Sequence, residues 1–499
     1  MAASAERLRI SAMEPAIEPA RVTVANGDGI GPEIMAAVQH VLEAAAAALD
    51  FDEIKVGQAV YEAGVTSGIP AEAWASLRRS RVFLKAPITT PQGGGYKSLN
   101  VTLRKTLGLY ANVRPCISYD PVVPSLHRAM NLVVVRENEE DTYAGIEHRQ
   151  TAEVVQCLKL VSRPGSERVV RYAFDHARAN GRRRVTCLTK DNIMKLTDGL
   201  FRQVFEEVAR EYPDIEAQHQ IIDIGTARVA ARPNDFDVIV TPNLYGDILS
   251  NVAAEVSGSV GMAPSANIGV HCAMFEAIHG SAPDIAGRDL ANPSGLLLAA
   301  VMMLDHVGQA AAATRIHNAW LRVLELGMHT ADIYRAGTSR RRVGTREFAR
   351  AVVGELGSMP RRLPAVQYTA REPLAGRHAA PRPRPDKQLV GVDVFLDWDQ
   401  DGRDPARLAG LLRPLAGDGL ALRMISNRGV KVWPDGLPET WCTDHWRCRF
   451  VRPEDGAALP HRAIEALLAR LSGAGLDYIK TENLYHFDGR PGYSLGQGE

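Results

Sequence analysis

Disulfide chemistry has little to work with in this 499-residue sequence. Its six cysteines, Cys116, Cys157, Cys187, Cys272, Cys442 and Cys448, include no C-x-x-C pair. Such usage suits free thiols in a reducing compartment, so a cytoplasmic location is expected. Excess charge is missing too: 58 Lys and Arg face 58 Asp and Glu, for a formal charge of zero. That excludes a general polyanion binder, so no nucleic-acid partner is expected. No apolar run reaches the roughly 18 residues of a membrane span, so no membrane role is expected. Residues 1–20 carry Glu6, Glu14 and Glu18 and lack a signal peptide's apolar stretch; they read as a flexible tail.

What is present is ordinary globular material, 45% apolar and 23% charged, and long enough for two or three domains. "RVTVANGDGIGPEIMAAVQHVLEAAAAAL" reads as strand, glycine-rich turn and helix, with Pro32 suited to the first helical turn. "NLVVVREN" and "FDVIVTPNL" are β-branched runs of the kind buried on both faces of a parallel sheet. Helical patterns lie between them, so the fold class is α/β. After Ser358 a Pro- and Arg-rich stretch without apolar periodicity reads as a solvated linker, residues 359–388. Beyond it, 389–499 follows the order β-α-β-β-α-β of a small split-βαβ domain. Cys442, His445 and Cys448 stand at three-residue steps there, a weak zinc pattern beside the plainer reading of a half-buried strand.

Two groups of charges carry chemistry. Arg104 and Arg114 lie in "GGGYKSLNVTLRKTLGLYANVRP", where Gly93, Gly94 and Gly95 make a loop. Ser98 is placed to cap the following helix, and Asn100 and Arg104, four apart, share a face of it. Arginine forks and a helix N-terminus suit a carboxylate or phosphate. Arg136 ends the buried run "NLVVV", and a charge there needs a partner. On the acidic side, Asp247 is read as opening a helix after "FDVIVT", and Asp223 as ending "HQIID". Carboxylates at strand ends suit Mg²⁺ or Mn²⁺, with helix capping as the plain alternative for Asp247. Lys190, after another strand, is a candidate base, and Tyr143 in "DTYAG" a candidate proton donor.

Together these motifs resemble the decarboxylating β-hydroxyacid dehydrogenases, on the isocitrate branch. The carriers are "NGDGIGPEI", "KAPITTPQGGGYKSLNVTLRKTLGLYANVRP", "VVVRENEEDTYAGIEH", "LTKDNIMKLTDGLF", "NLYGDILSN" and "FEAIHGSAPDIAG", spanning about 21–352. "VGVDVF", "MISNRG" and "RCRF" are similar to the extra domain of the long bacterial members of the Thermus kind. The resemblance implies a two-domain fold that is not a Rossmann fold. Its large domain would comprise 21–118 and 259–358, and its small domain, with a dimer clasp, 119–258. It implies oxidative decarboxylation of isocitrate, a tricarboxylic acid cycle reaction, with homoisocitrate or 3-isopropylmalate as the alternative substrate and a non-catalytic regulatory subunit as a further reading. It implies Ser98, Asn100, Arg104, Arg114 and Arg136 on substrate, Tyr143 as acid and Lys190 as base. Metal ligands would be Asp223 and Asp247, with Asn251 where the family usually has a third Asp. Lys190 and Asp223 would reach the partner's site in a homodimer.

"HGSAPDIAGRDLANPSG" then becomes the cofactor loop. The resemblance places Thr90, Glu276, His279, Gly280, Ala282, Asp284, Ile285 and Asn292 on the cofactor. Where NADP-dependent members carry Lys-Tyr, this chain has Asp284-Ile285. An aspartate repels a 2′-phosphate and accepts from ribose hydroxyls, so NAD is the expected cofactor.

Overall fold

The computed structural model describes residues 18–90, 98–370, 374, 382–453 and 459–496. Most of the expected tail, the Gly93–Gly95 loop and part of the linker lie outside the described residues. The chain divides into two compact units: residues up to 140, 162–190 and 201–378, and residues 141–161, 191–200 and 379–499.

The first unit is built on one ten-stranded sheet. In spatial order its strands are Leu49–Ile54, Ala20–Ala25, Val82–Lys85, Ala273–Ala277, Pro264–Ile268, Ala111–Ile117, Asn131–Glu137, Val238–Thr241, Arg184–Thr189 and Glu216–Ile221. The β-branched runs are interior strands, the seventh and eighth of the ten, and Val238–Thr241 is buried throughout. Helices on the faces leave such strands no polar side, which is why they show no period-two alternation. The last four strands run parallel, so Arg136, Thr241 and Thr189 fall near one edge, where ligands gather in such sheets. Pro264–Ile268 runs antiparallel to both neighbours, and Ala111–Ile117 runs antiparallel to Asn131–Glu137.

The "GDGIG" turn braces this unit and does not open a phosphate cradle. Asp28 donates its amide to the Pro87 carbonyl at 2.8 Å, and Ile30 to the Ser281 carbonyl at 2.8 Å. Gly29 has φ +61°, and a Cβ there would lie 2.0 Å from the Ser281 oxygen. Only glycine permits that approach at that backbone angle. The expectation against a Rossmann turn therefore has a physical counterpart: these amides are spent on protein carbonyls.

The described part of the linker is gripped, which its composition did not suggest. The Glu325 carboxylate accepts the amides of Arg361, Arg362 and Leu363. Asn318 exchanges two hydrogen bonds with the Val366 backbone, 2.8 and 2.9 Å. Tyr368 donates its amide to Thr314 at 3.0 Å, and its hydroxyl meets His317 Nδ1 at 2.9 Å. These anchors all belong to the helix Ala310–Glu325.

In the second unit, the strands Lys387–Asp397, Ala421–Asn427, His445–Val451 and Asp477–Phe487 pair antiparallel. Their spatial order is second, third, first, fourth, as a split-βαβ domain requires. A short strand, Val430–Trp433, adds one edge beyond the expected order. The helices Pro405–Leu412 and His461–Gly473 supply Leu408, Leu412, Leu467 and Leu471 to a core with Val392, Val394, Trp446 and Phe450. Cys448 is fully buried in that core, so the plainer reading of the Cys/His steps holds. All six cysteines are free. Among the described residues no helix is long and apolar enough to cross a membrane.

Candidate active site

Three buried charges meet where two parallel strands end. Lys85 closes Val82–Lys85 and lies in register with Glu276 on Ala273–Ala277. Lys85 Nζ is 2.7 Å from Glu276 Oε2, and the Arg104 guanidinium 2.8 Å from Oε1. Burial pushes the Glu276 carboxyl up, but Lys85 and Arg104 outweigh it and hold it far below the usual carboxylate range. Arg104 comes from the helix Leu99–Thr106, which Ser98 caps by accepting the Val101 amide. Thr90 donates to Ser98 at 3.2 Å, and Asn100 to the Ile88 carbonyl at 3.3 Å. Asn100 Oδ1 and Arg104 Nε are buried with no hydrogen-bond partner among the described residues. A buried orphan pair on one helix face is costly unless something polar arrives.

The second cluster is centred on Asp247. Its Oδ1 accepts from both Arg114, at 3.1 Å, and Arg136. Asp247 is the fifth residue of the helix Asn243–Ser257, whose N-cap is Pro242. The expectation that Asp247 opens the helix is thus corrected, and with it the capping alternative: the helix starts one turn earlier, after proline. Arg136 reaches across at Gly246, where a Cβ would lie 2.6 Å from its Cγ. Asn251, one turn on from Asp247, is exposed. Burial pulls the Arg114 pKa down and Asp247 opposes it; an arginine stays charged regardless.

Side-chain amides join the two clusters inside the sheet. Asn267 donates to Glu276 at 2.9 Å, and its Oδ1 accepts from Asn112 at 2.9 Å. Asn112 Oδ1 then accepts from Arg114 Nε at 2.6 Å. Both asparagines are fully buried. Lys85, Asn112 and Asn267 are the residues that sequence reasoning missed. Lys85 carried a signal: like Arg136, it is a charge closing an apolar run. The asparagines carried none.

Lys190, just past the strand Arg184–Thr189, lies 2.9 Å from Asp223; the expectation that Asp223 ends a strand is corrected, because the adjacent parallel strand stops at Ile221 and a helix follows at once. Asp223 sits in the first turn of the helix Ile222–Ala231. Its hydrogen bond to Lys190 holds its carboxyl below the usual range. No group of three or more His, Cys, Asp or Glu able to hold a metal occurs among the described residues. Asp247 and Asn251 lie one turn apart on the helix Asn243–Ser257. Tyr143 is half-buried in the 3-10 turn Thr142–Ala144 of the second unit.

In the cofactor loop, Ala282 adopts φ +36° before the turn Pro283–Ile285, and Gly280 is exposed. His279 Nε2 is buried with no partner among the described residues, a donor or acceptor available to a ligand. Burial pushes the His279 pKa down, so the ring is neutral at pH 7. Asn292 is buried and donates to Asp332 at 2.9 Å. Ile285 is half-buried and Asp284 exposed.

Residues 21–352 match the family model described as isocitrate/isopropylmalate dehydrogenase. Residues 387–499 match the one described as bacterial isocitrate dehydrogenase, C-terminal domain. The Rickettsia felis isocitrate dehydrogenase [NADP] is 52% identical over 480 residues, covering 96% of this chain and 99% of its own. The Thermus thermophilus isocitrate dehydrogenase [NADP] is 46% identical over 484 residues, covering 96% of each. A crystal structure of a Thermus thermophilus protein superposes with TM-score 0.89 at 46% identity, covering 96% of each chain.

These near full-length relatives are NADP enzymes by name, which overturns the expectation of NAD. The physical reason is that the charge of Asp284 does not decide the cofactor. Asp284 is a single exposed carboxylate, which water screens. The fold borders its loop with the segment 328–346: Asn292 bonds Asp332, and the Arg346 amide donates to Asp289 at 2.9 Å. That segment carries the exposed Arg335, Arg340, Arg341 and Arg342, of which Arg341 is paired with Glu347 at 2.7 Å. With both family models covering its two parts, the chain belongs to the isocitrate/isopropylmalate dehydrogenase family and carries the C-terminal domain of its bacterial isocitrate dehydrogenases.

Proposed function

We propose that this chain oxidatively decarboxylates isocitrate to 2-oxoglutarate and CO₂, using NADP and a divalent cation. The observation that carries the reading is the Arg114–Asp247–Arg136 cluster. Two buried guanidiniums converge on one partly exposed carboxylate, a pattern suited to a substrate bearing several carboxylates beside a metal. Arg104, Ser98 and Asn100 extend the polar surface for the remaining carboxylate. Asp247 and Asn251 would hold Mg²⁺ or Mn²⁺, and Asp223 of a second copy would complete the set. When bound, the ion would supply Lewis acidity and the nicotinamide a hydride acceptor.

Lys190 takes the C2 hydroxyl proton as the carbon is oxidised, and its contact with Asp223 keeps it placed. The carboxylate β to the new ketone leaves as CO₂. Tyr143 then returns a proton to the carbon. What supports a homodimer with shared sites is that one chain gathers only part of the oxygen-donor set among its described residues. Ile224 and Ile248, on the helices that carry Asp223 and Asp247, are 49% and 54% exposed, an apolar face suited to a second copy. The free thiols suit a cytoplasmic site. The test is initial rates on isocitrate, homoisocitrate and 3-isopropylmalate, each with NADP⁺ and NAD⁺, with and without Mn²⁺. A higher kcat/KM for another acid, or for NAD⁺, rejects the corresponding part.

A further inference from the structure

The second unit contains a contact whose two sides are nearly 300 residues apart in sequence: Thr151 meets Asp444, a separation of 293. One side is the hairpin formed by Glu147–Arg149 and Val155–Cys157. Its tip is closed by the Gln150 amide on the Val154 carbonyl and the Val154 amide on the Thr151 hydroxyl. The other side is the C-terminal domain. The Thr151 hydroxyl donates to Asp444 at 2.6 Å, and the Glu153 amide donates to the other Asp444 oxygen at 3.2 Å. In return, the Asp444 amide donates to Glu153 at 3.3 Å. Arg403 clamps both oxygens of Glu153, at 2.8 and 2.9 Å. A further contact joins Lys480 to Gln156 at 3.1 Å.

These are not chance surface contacts. Thr151 is 5% and Asp444 2% exposed, so the hydrogen bonds between them work in low dielectric. Arg403 holds φ +43°, a left-handed backbone that is strained for a non-glycine residue and persists only when its surroundings demand it. Its side chain is also tied to Asp399 and to the Cys442 carbonyl. The Arg403 bonds hold the Glu153 carboxyl below its usual range, so the clamp stays ionised at neutral pH.

The hairpin carries this constraint to its base. Leu158 bonds Ile146, and Asp141 bridges Leu160 through its amide at 2.8 Å. Lys159 joins the buried Asp141 and Asp198, at 3.1 and 2.9 Å. The turn Thr142–Ala144, with Tyr143 at its centre, hangs between Asp141 and the first hairpin strand. A hairpin fixed at both tip and base leaves that turn little freedom.

We infer that the C-terminal domain positions Tyr143, by gripping the hairpin tip through Asp444 and Arg403. Asp444 and Arg403 are positioning residues that touch no substrate. The inference rests on the reading of Tyr143 as the proton donor. It assigns the extra domain a task in turnover, where added stability alone would predict no effect on kcat of the folded enzyme.

The experiment uses the full chain with Glu153→Arg, Arg403→Glu, the two combined, and Tyr143→Phe. Amide exchange over 141–157 is measured beside kcat and the isocitrate KM. Each single charge reversal is expected to speed exchange there and lower kcat roughly tenfold, with KM within about twofold, since small misplacement of a proton donor slows chemistry more than binding. The combined reversal is expected to restore both. Unchanged exchange in the single variants, or no rescue by the pair, overturns the inference. It is likewise overturned if Tyr143→Phe is slow while the single reversals turn over normally. Should Tyr143→Phe itself keep full kcat, the proton-donor reading fails, and the positioning role falls with it even where exchange responds.

Discussion

Lys85 and Glu276 face each other across two parallel strands, their charged atoms 2.7 Å apart and both side chains almost fully buried. Neither charge could be left alone at such a depth. Glu276→Gln therefore strands the Lys85 ammonium and the Arg104 guanidinium, and a loss of about 3–5 kcal/mol in unfolding free energy is expected from urea titration. Lys85→Met with Glu276→Met should cost less than the sum of the single changes, because the second mutation removes one of the two stranded charges and leaves only Arg104. Additive losses would mean that the pair does not act as a unit.

Asn251→Asp is expected to tighten Mn²⁺, as it places a second carboxylate one turn from Asp247. Direct binding of Mn²⁺ to the enzyme with isocitrate reads this without turnover. An unchanged or weaker affinity would remove Asn251 from the metal.

Lys190→Met and Asp247→Asn should each lower kcat by about 10²-fold or more. If Lys190 serves a partner's site, unfolding the two inactive variants together and refolding them regenerates activity. Random pairing makes half the dimers mixed, each with one intact site, so about a quarter of the wild-type rate is expected. Activity no greater than the separate variants give would exclude sharing between subunits.

Asp284→Lys should raise kcat/KM for NADP⁺ by roughly tenfold, by replacing an exposed carboxylate in the cofactor loop with a cation. The gain should shrink in high salt. Initial rates at two ionic strengths decide it, and a fall in NADP⁺ use would show that Asp284 faces the ribose and not the phosphate.

His317, bonded to the Tyr368 hydroxyl, has its pKa pushed down by burial from 6.5 to about 4. The folded chain resists its protonation while the unfolded chain does not. Stability from this group is complete above about pH 6.5 and drains away as pH falls toward 4. His306 and His329 are shifted the same way, so His317→Gln should flatten only part of the slope. Thermal melts of both proteins across roughly pH 4–7 measure it; parallel curves would mean that His317 contributes nothing.

Local patterns made much of the fold legible. "NLVVV" and "DVIV" are interior strands because β-branched residues suit a pleat buried on both faces. Ser98 caps its helix because a hydroxyl can take an orphan amide two or three residues on. The composition of 359–388 misled for the same reason that it was informative: proline and arginine forbid periodic structure, but they do not forbid amides from finding Glu325. Asp284 misled because a single exposed carboxylate is screened by water and does not by itself decide between cofactors.

The sequence by itself determined the α/β class, the strand and helix sites, and the residue types a polycarboxylate and a cation would need. Those follow from preferences acting over a few residues. Tertiary structure alone decided the partners. That Arg136 needed one was visible from its place after an apolar run; that it would share Asp247 with Arg114 was not. Nor did anything near Thr151 announce Asp444, 293 positions away. Burial makes a polar group demand a partner, but the chain's path through space chooses which one, and that choice is made by the packing of the whole sheet.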